Sequence, residues 1–132
     1  QRLIPPAVWC SVSRYVVNNG VETVEYDTIY FPEFLEKKDK YSYFLNSNQP
    51  VITIETKSGS DKKLLIFKDS FSHCLVPMLF QDYSEITLVD LRYVNVNLQD
   101  MLDVSRYDET LFIYSIDVFA HQINTSKLGL MK

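Results

Sequence analysis

No apolar run in this chain approaches the length of a membrane span, and no secretory signal is visible. The basic residues form no stripe and the net charge is −4, so nucleic acid is not expected as a partner. Cys10 and Cys74 lie far apart in sequence and belong to no CxxC or Cys/His cluster. That excludes an ordinary zinc site, and neither metal nor cofactor is expected. One disulfide can join the two cysteines. Two buried free thiols are favoured, because Cys74 falls on an apolar helical face. There is no internal repeat, linker or low-complexity tract. The chain starts at Gln1 rather than Met. It reads as a mature form or an excised piece, so missing targeting signals exclude little about location.

What is present is a core. Apolar residues make up 46% of the 132, which suits one folded domain and argues against disorder or two domains. Nine Tyr and eight Phe against one Trp suit strands and clefts that take polar organic ligands. "SRYVVNNGVETVEYD" predicts strands near Val12–Val17 and Val21–Tyr26 around an Asn-Gly turn, with Pro5-Pro6 marking an extended lead-in. Pro32 opens a short helix with Phe31, Phe34 and Leu35 on one side, and "EKKDK" (36–40) reads as its solvated face. Val51–Thr56 alternates and predicts a strand with one wet face. Leu64–Phe67 is continuously apolar and predicts a strand covered on both faces.

From there the pattern is strand–helix–strand–helix–strand. Phe71, Cys74, Leu75, Met78 and Leu79 follow helical spacing, with Pro77 as a kink. "EITLVD" is a strand, "NVNLQDMLDVS" a helix through Leu98, Met101 and Leu102, and "TLFIYSID" a strand. Such an order predicts a parallel sheet with right-handed crossovers, an α/β fold with an N-terminal β-hairpin region. In a parallel sheet the carboxyl ends of the strands share one edge, where ligands bind. That edge gathers Lys68-Asp69-Ser70, Asp90-Leu91-Arg92-Tyr93 and Ser115-Ile116-Asp117, with His121 close behind. Ser70 would sit where a strand meets the first turn of a helix. Free backbone N–H groups there can stabilise an oxyanion. The plain alternative is that Ser70 or Asp69 only caps the helix.

"LLIFKDSFSHCLVPMLFQDYSEITLVDLRY" (64–93), "NNGVETVEYDTIYFPEFLEKKDKYSYFLNSNQPVITIET" and "LFIYSIDVF" together resemble the C-terminal half of the bacterial DHHW family. That family is named for an Asp-His-His-Trp motif and belongs with the SGNH-like hydrolases and the alginate O-acetyltransferase-like proteins. The resemblance runs from about Val16 to Phe119 and is most specific in "KDSF" and "VDLRY". It implies a three-layer SGNH-like (flavodoxin-like) core fragment, with Ser70 as the nucleophile of acyl transfer. The catalytic Asp and His would come from the upstream motif, which this chain lacks. It also implies an extracytoplasmic or cell-surface carbohydrate esterase or O-acetyltransferase, acting on a polysaccharide or acyl ester. By itself the piece would be inactive. Where the family often has Asn after "LFLY", this chain has Ser115, whose reach toward an oxyanion is shorter.

The remaining residues carry rival readings. His73 is expected on the helix surface or the site's rim. His121 could replace the missing base, with Asp117 or Asp90 behind it. Its spacing, Asp117-x-x-x-His121, is one residue longer than the SGNH pattern, and a solvent histidine near the chain end is the favoured reading. Arg92 can bind an acyl oxygen or pair with Asp90. Tyr93 can stack on a sugar or close the core. A non-catalytic binding or scaffold module on a hydrolase fold is the alternative function. Self-association is expected if the absent half leaves an apolar face open.

Overall fold

The computed structural model describes residues 10–17, 22–46, 48–95 and 97–121. Its strands are β1 (Cys10–Val17), β2 (Glu22–Tyr26), β3 (Val51–Thr56), β4 (Lys63–Lys68), β5 (Glu85–Val89) and β6 (Glu109–Ile113). They form one mixed sheet in the order β2-β1-β3-β5-β4-β6. β1 and β2 pair antiparallel from Ser13↔Tyr26 to Val17↔Glu22, which is the expected hairpin region. Its Asn-Gly turn and the Pro5-Pro6 lead-in lie outside the described residues. β4 is parallel to β5 on one side and to β6 on the other, so the carboxyl ends of these strands share one edge.

β4 is the centre of the core because its side chains alternate between two apolar layers. Leu64 and Ile66 join Ile52, Ile54, Ile86, Leu88, Val76 and Phe80 on one face. Leu65 and Phe67 join Val51, Val89, Leu91, Val94 and Leu98 on the other. Helical turns cover both layers, giving an α/β fold with the sheet in the middle. One cover is the 3-10 helix Ser70–Leu79, and the other is α1 (Leu98–Met101), a single turn capped by Asn97. Pro32–Glu36 is also a 3-10 helix with Pro in its first turn. Phe31 is buried and Phe34 half-buried there, but Leu35 is exposed rather than sharing their side.

The segment after β4 departs most from the sequence reading. It is a 3-10 helix, not an α-helix, and it carries Pro77 inside it. With three residues per turn, His73, Val76 and Leu79 align and face inward. Ser72, His73 and Val76 are buried, while Phe71 (70% exposed), Leu75 and Met78 (75%) face out. All of the expected apolar face except Leu79 is thus on the outside. Cys74 is exposed and free, not buried, and His73 is buried, not on the surface.

Candidate functional site

At the end of β4 the backbone passes from strand to helix at Asp69, and Asp69 does the capping. Its Oδ1 accepts the Phe71 N–H at 3.0 Å, and its Oδ2 accepts the Ser115 N–H at 2.6 Å, tying the end of β4 to the end of β6. Asp69 is fully buried and its carboxylate is spent on these bonds, so it acts as cap and tether. Ser70 is therefore relieved of capping. It is half-buried, and its hydroxyl makes no hydrogen bond among the described residues.

Lys68 is the last residue of β4 and has no exposed surface. Its Nζ lies 2.7 Å from His73 Nε2 and 3.6 Å from Asp90 Oδ2. Asp90, just past β5, is also fully buried and receives Arg92 in a fork, Nε to Oδ1 at 2.9 Å and an NH2 nitrogen to Oδ2 at 2.7 Å. Of the two roles open to Arg92, the ion pair is the one formed. Two cations, Lys68 and Arg92, thus meet two carboxylates, Asp69 and Asp90, and the formal charges at this edge cancel. Burial lowers the Lys68 pKa to about 8, against the pull of Asp90. Burial, with the Lys68 charge beside it, drives His73 down to about 3. At neutral pH His73 is therefore a neutral imidazole. Lys68 as an ammonium can only donate, so Nε2 is the acceptor and the ring proton sits on Nδ1.

A cavity of about 110 Å³ opens beside this set, lined by Asp39, Tyr41, Ser42, Asn48, Ser70 and His73. The chain reaches it through a left-handed turn at Leu45 (φ 62°) and Asn46 (φ 51°), costly for non-glycine residues. Buried Leu45 holds that turn, and its N–H donates to the Ile29 carbonyl at 2.8 Å. Tyr41 stacks on the His73 ring, 6.0 Å between centroids and 10° between planes. Its hydroxyl donates to the Phe71 carbonyl and accepts the Cys74 N–H, and burial pushes its pKa up to about 12. Ser42 Oγ donates to Asp39 Oδ2 at 2.5 Å, while all five residues of "EKKDK" (36–40) are exposed.

The structure brings Asp69, Ser70, Asp90, Arg92 and Ser115 to one edge. It does not bring the rest to Ser70. Asp117 and His121 are exposed on α2 (Ile116–His121), His121 Nδ1 lies 3.2 Å from the Asp117 carbonyl, and no hydrogen bond or ion pair joins either to Ser70. Ser115 Oγ accepts the Val118 N–H at 3.4 Å, which leaves its own proton to donate. Tyr93 is 41% exposed with the Arg92 guanidinium 5.4 Å over its ring, so it does not close the core. Sequence reasoning placed Lys68 at the edge without giving it a role, and missed Tyr41, Ser42 and Asn48. A lysine ending an apolar run marks a buried charge in need of a partner, and that was the available signal for Lys68. The others come from the 3-10 turn Tyr41–Tyr43 and the segment after it, whose path no local pattern announces. Among the described residues no cluster of His, Cys, Asp and Glu could hold a metal, and no helix is long and apolar enough to cross a membrane.

No protein-family model and no curated protein matches the chain. Solved structures do match in fold. A DHHW family protein from Eubacterium siraeum is similar at a TM-score of 0.65 and 21% identity, over 92% of this chain and 39% of that one. Bacillus cereus PatB1 is similar at 0.65 and 19%, over 96% of this chain and 39% of that one. PatB1 with a sulfonyl adduct is similar at 0.63 and 24%, over 85% and 38%. This chain thus spans under two fifths of each of these proteins, and what it shares with them is an α/β fold.

Proposed function

We propose that this chain is the serine-bearing part of a longer SGNH-like, DHHW-type protein, an extracytoplasmic carbohydrate esterase or O-acetyltransferase. Ser70 is its nucleophile and a cell-surface polysaccharide its substrate class. The observation that carries this reading is the division of labour at the end of β4. Asp69 takes the cap, and among the described residues Ser70 keeps a free hydroxyl at the carboxyl edge of the parallel strands β4, β5 and β6. Asp69 takes the Phe71 and Ser72 N–H groups at the start of the helix, which leaves the N–H of Ser70 itself as the backbone donor suited to a developing oxyanion. The fold shared with PatB1, a protein solved with a sulfonyl adduct, supports a nucleophile in such a setting.

A serine hydroxyl needs a base, and among the described residues none contacts Ser70. His73 is a feeble one, because its pKa is held near 3. The base and its orienting carboxylate therefore come from the rest of the longer protein, and this chain alone turns over little or no acetyl ester. Ser70→Ala in the longer protein should abolish turnover without unfolding it, since Asp69 holds the cap. Normal turnover in that variant would leave Ser70 a bystander. The second reading is a binding or scaffold module. Ser115 in the place of an expected Asn favours it, as does the isolation of Ser70 from Asp117 and His121. An inactive longer protein that still binds polysaccharide would select it.

A further inference from the structure

The wall of the Ser70 cavity holds more polar side chains than it leaves free. Tyr41, Ser42 and Asp39 are engaged with neighbouring groups. Three atoms are not. Among the described residues Ser70 Oγ has no partner, and His73 Nδ1 and Asn48 Oδ1 are both buried without a hydrogen bond. His73 is 99% buried by its 1% exposure, and the Phe44 carbonyl lies near its ring but outside hydrogen-bond geometry. A buried donor or acceptor left unmet is costly, so the arrangement calls for an occupant. With Lys68 on Nε2, Nδ1 is a donor. Asn48 Oδ1 is an acceptor. An occupant that meets both accepts one hydrogen bond and donates another, which a hydroxyl does. The carboxylate of Asp39 in the wall disfavours an anion, and the buried Lys68 behind His73 disfavours a cation. A volume of about 110 Å³ exceeds the ~10–15 Å³ one water needs, leaving room for the first carbons of an alcohol.

We propose that this cavity is the binding subsite for a neutral hydroxyl, water or an alcohol. His73 Nδ1–H donates to it, Asn48 Oδ1 accepts from it, and Lys68 acts as the positioning residue that fixes the His73 tautomer. As a subsite for the group that receives the acyl chain it rests on the Ser70 reading. As a hydroxyl site it does not. It assigns binding only, with no proton transfer.

Nitrogen-15 NMR of the intact chain tests it, since only His73 and His121 contribute imidazole signals. His73 should show the Nδ1–H tautomer at neutral pH, with a cross-relaxation peak from that proton to bound water. Adding methanol should replace this peak with one to the methyl group. Lys68→Met should release the tautomer, and Asn48→Ala should weaken methanol binding by about tenfold, as loss of one buried hydrogen bond does. An Nε2–H tautomer, or an Nδ1–H bonded to the Phe44 carbonyl with no solvent contact, overturns the proposal. Ser70→Ala should keep the methanol contact. Failure of the Ser70 reading would thus leave this peak in place, and failure of the subsite would leave Ser70 labelling in place.

Discussion

β4 and β6 are neighbours, paired residue for residue from Leu64↔Glu109 to Lys68↔Ile113, and both are apolar. Their fates differ. Leu64 to Phe67 are buried to within 1%, whereas Leu111 is 40% and Phe112 57% exposed. β4 has strands on both sides and apolar layers on both faces. β6 is the last strand of the sheet, and its Phe112 has the Phe67 ring at 5.0 Å as its stacking partner. Beyond β6, Phe112, Tyr114, Ile116, Phe119 and Ala120 line a second, apolar cavity of about 350 Å³. Composition therefore decides which segments become strands, and position in the sheet decides which are buried. An edge strand without lysine or proline invites pairing, so this end of the molecule is where self-association is expected.

The charges at the β4 and β5 ends offer the largest effect. Asp90→Ala strands the buried Lys68 and the half-buried Arg92 without their carboxylate. Removing one partner of a buried pair costs about 3–5 kcal/mol, readable as a shift of the urea midpoint. Next comes the contrast itself. Ile66→Ala in β4 should cost about 2–5 kcal/mol, while Leu111→Ala in β6 should cost under about 1 kcal/mol. Equal losses would mean that β6 is covered in solution.

The pH dependence sharpens the β4 end further. The His73 pKa lies at about 3 in the folded chain against its ordinary 6.5, so the unfolded chain binds more protons between those values. Its contribution to stability is full above 6.5 and is lost as pH falls through about 3. His73→Gln should flatten that acid limb. For Lys68, about 8 against an ordinary 10.5, the contribution is full above 10.5 and is lost as pH falls through about 8. Lys68→Met should remove that alkaline slope. The smallest effect on stability is expected from Leu111→Lys, within about 0.5 kcal/mol, with a clear loss of self-association by sedimentation. Unchanged association would place the contact elsewhere, and the outer face of Phe71, Leu75 and Met78 is the next candidate.

The strands were legible because their periodicity is local. Val51–Thr56 and the continuous run at Leu64 stand where the pattern put them, and the shared edge followed from connectivity. The helix after β4 was misread because a 3.6-residue period was applied to a segment that winds at three. That one difference buried His73 and exposed Cys74 and Met78. The site was half legible. Strand ends announce Asp69, Ser70, Asp90 and Arg92. Tyr41 and Ser42, in the 3-10 turn Tyr41–Tyr43, and Asn48 beyond it reach the cavity from about thirty residues upstream of His73, by contacts no spacing predicts. The choice between cap and nucleophile at Asp69-Ser70 needed the hydrogen bonds themselves.

That choice is also the most direct thing to measure. The longer protein carrying this chain would be treated with a sulfonyl fluoride, and the modified residue located by peptide mass spectrometry. The free hydroxyl of Ser70 and the spent carboxylate of Asp69 predict one adduct, on Ser70. It should be absent in Ser70→Ala and retained in Asp117→Ala and His121→Ala. An adduct elsewhere, or undiminished labelling of Ser70→Ala, would contradict Ser70 as the nucleophile.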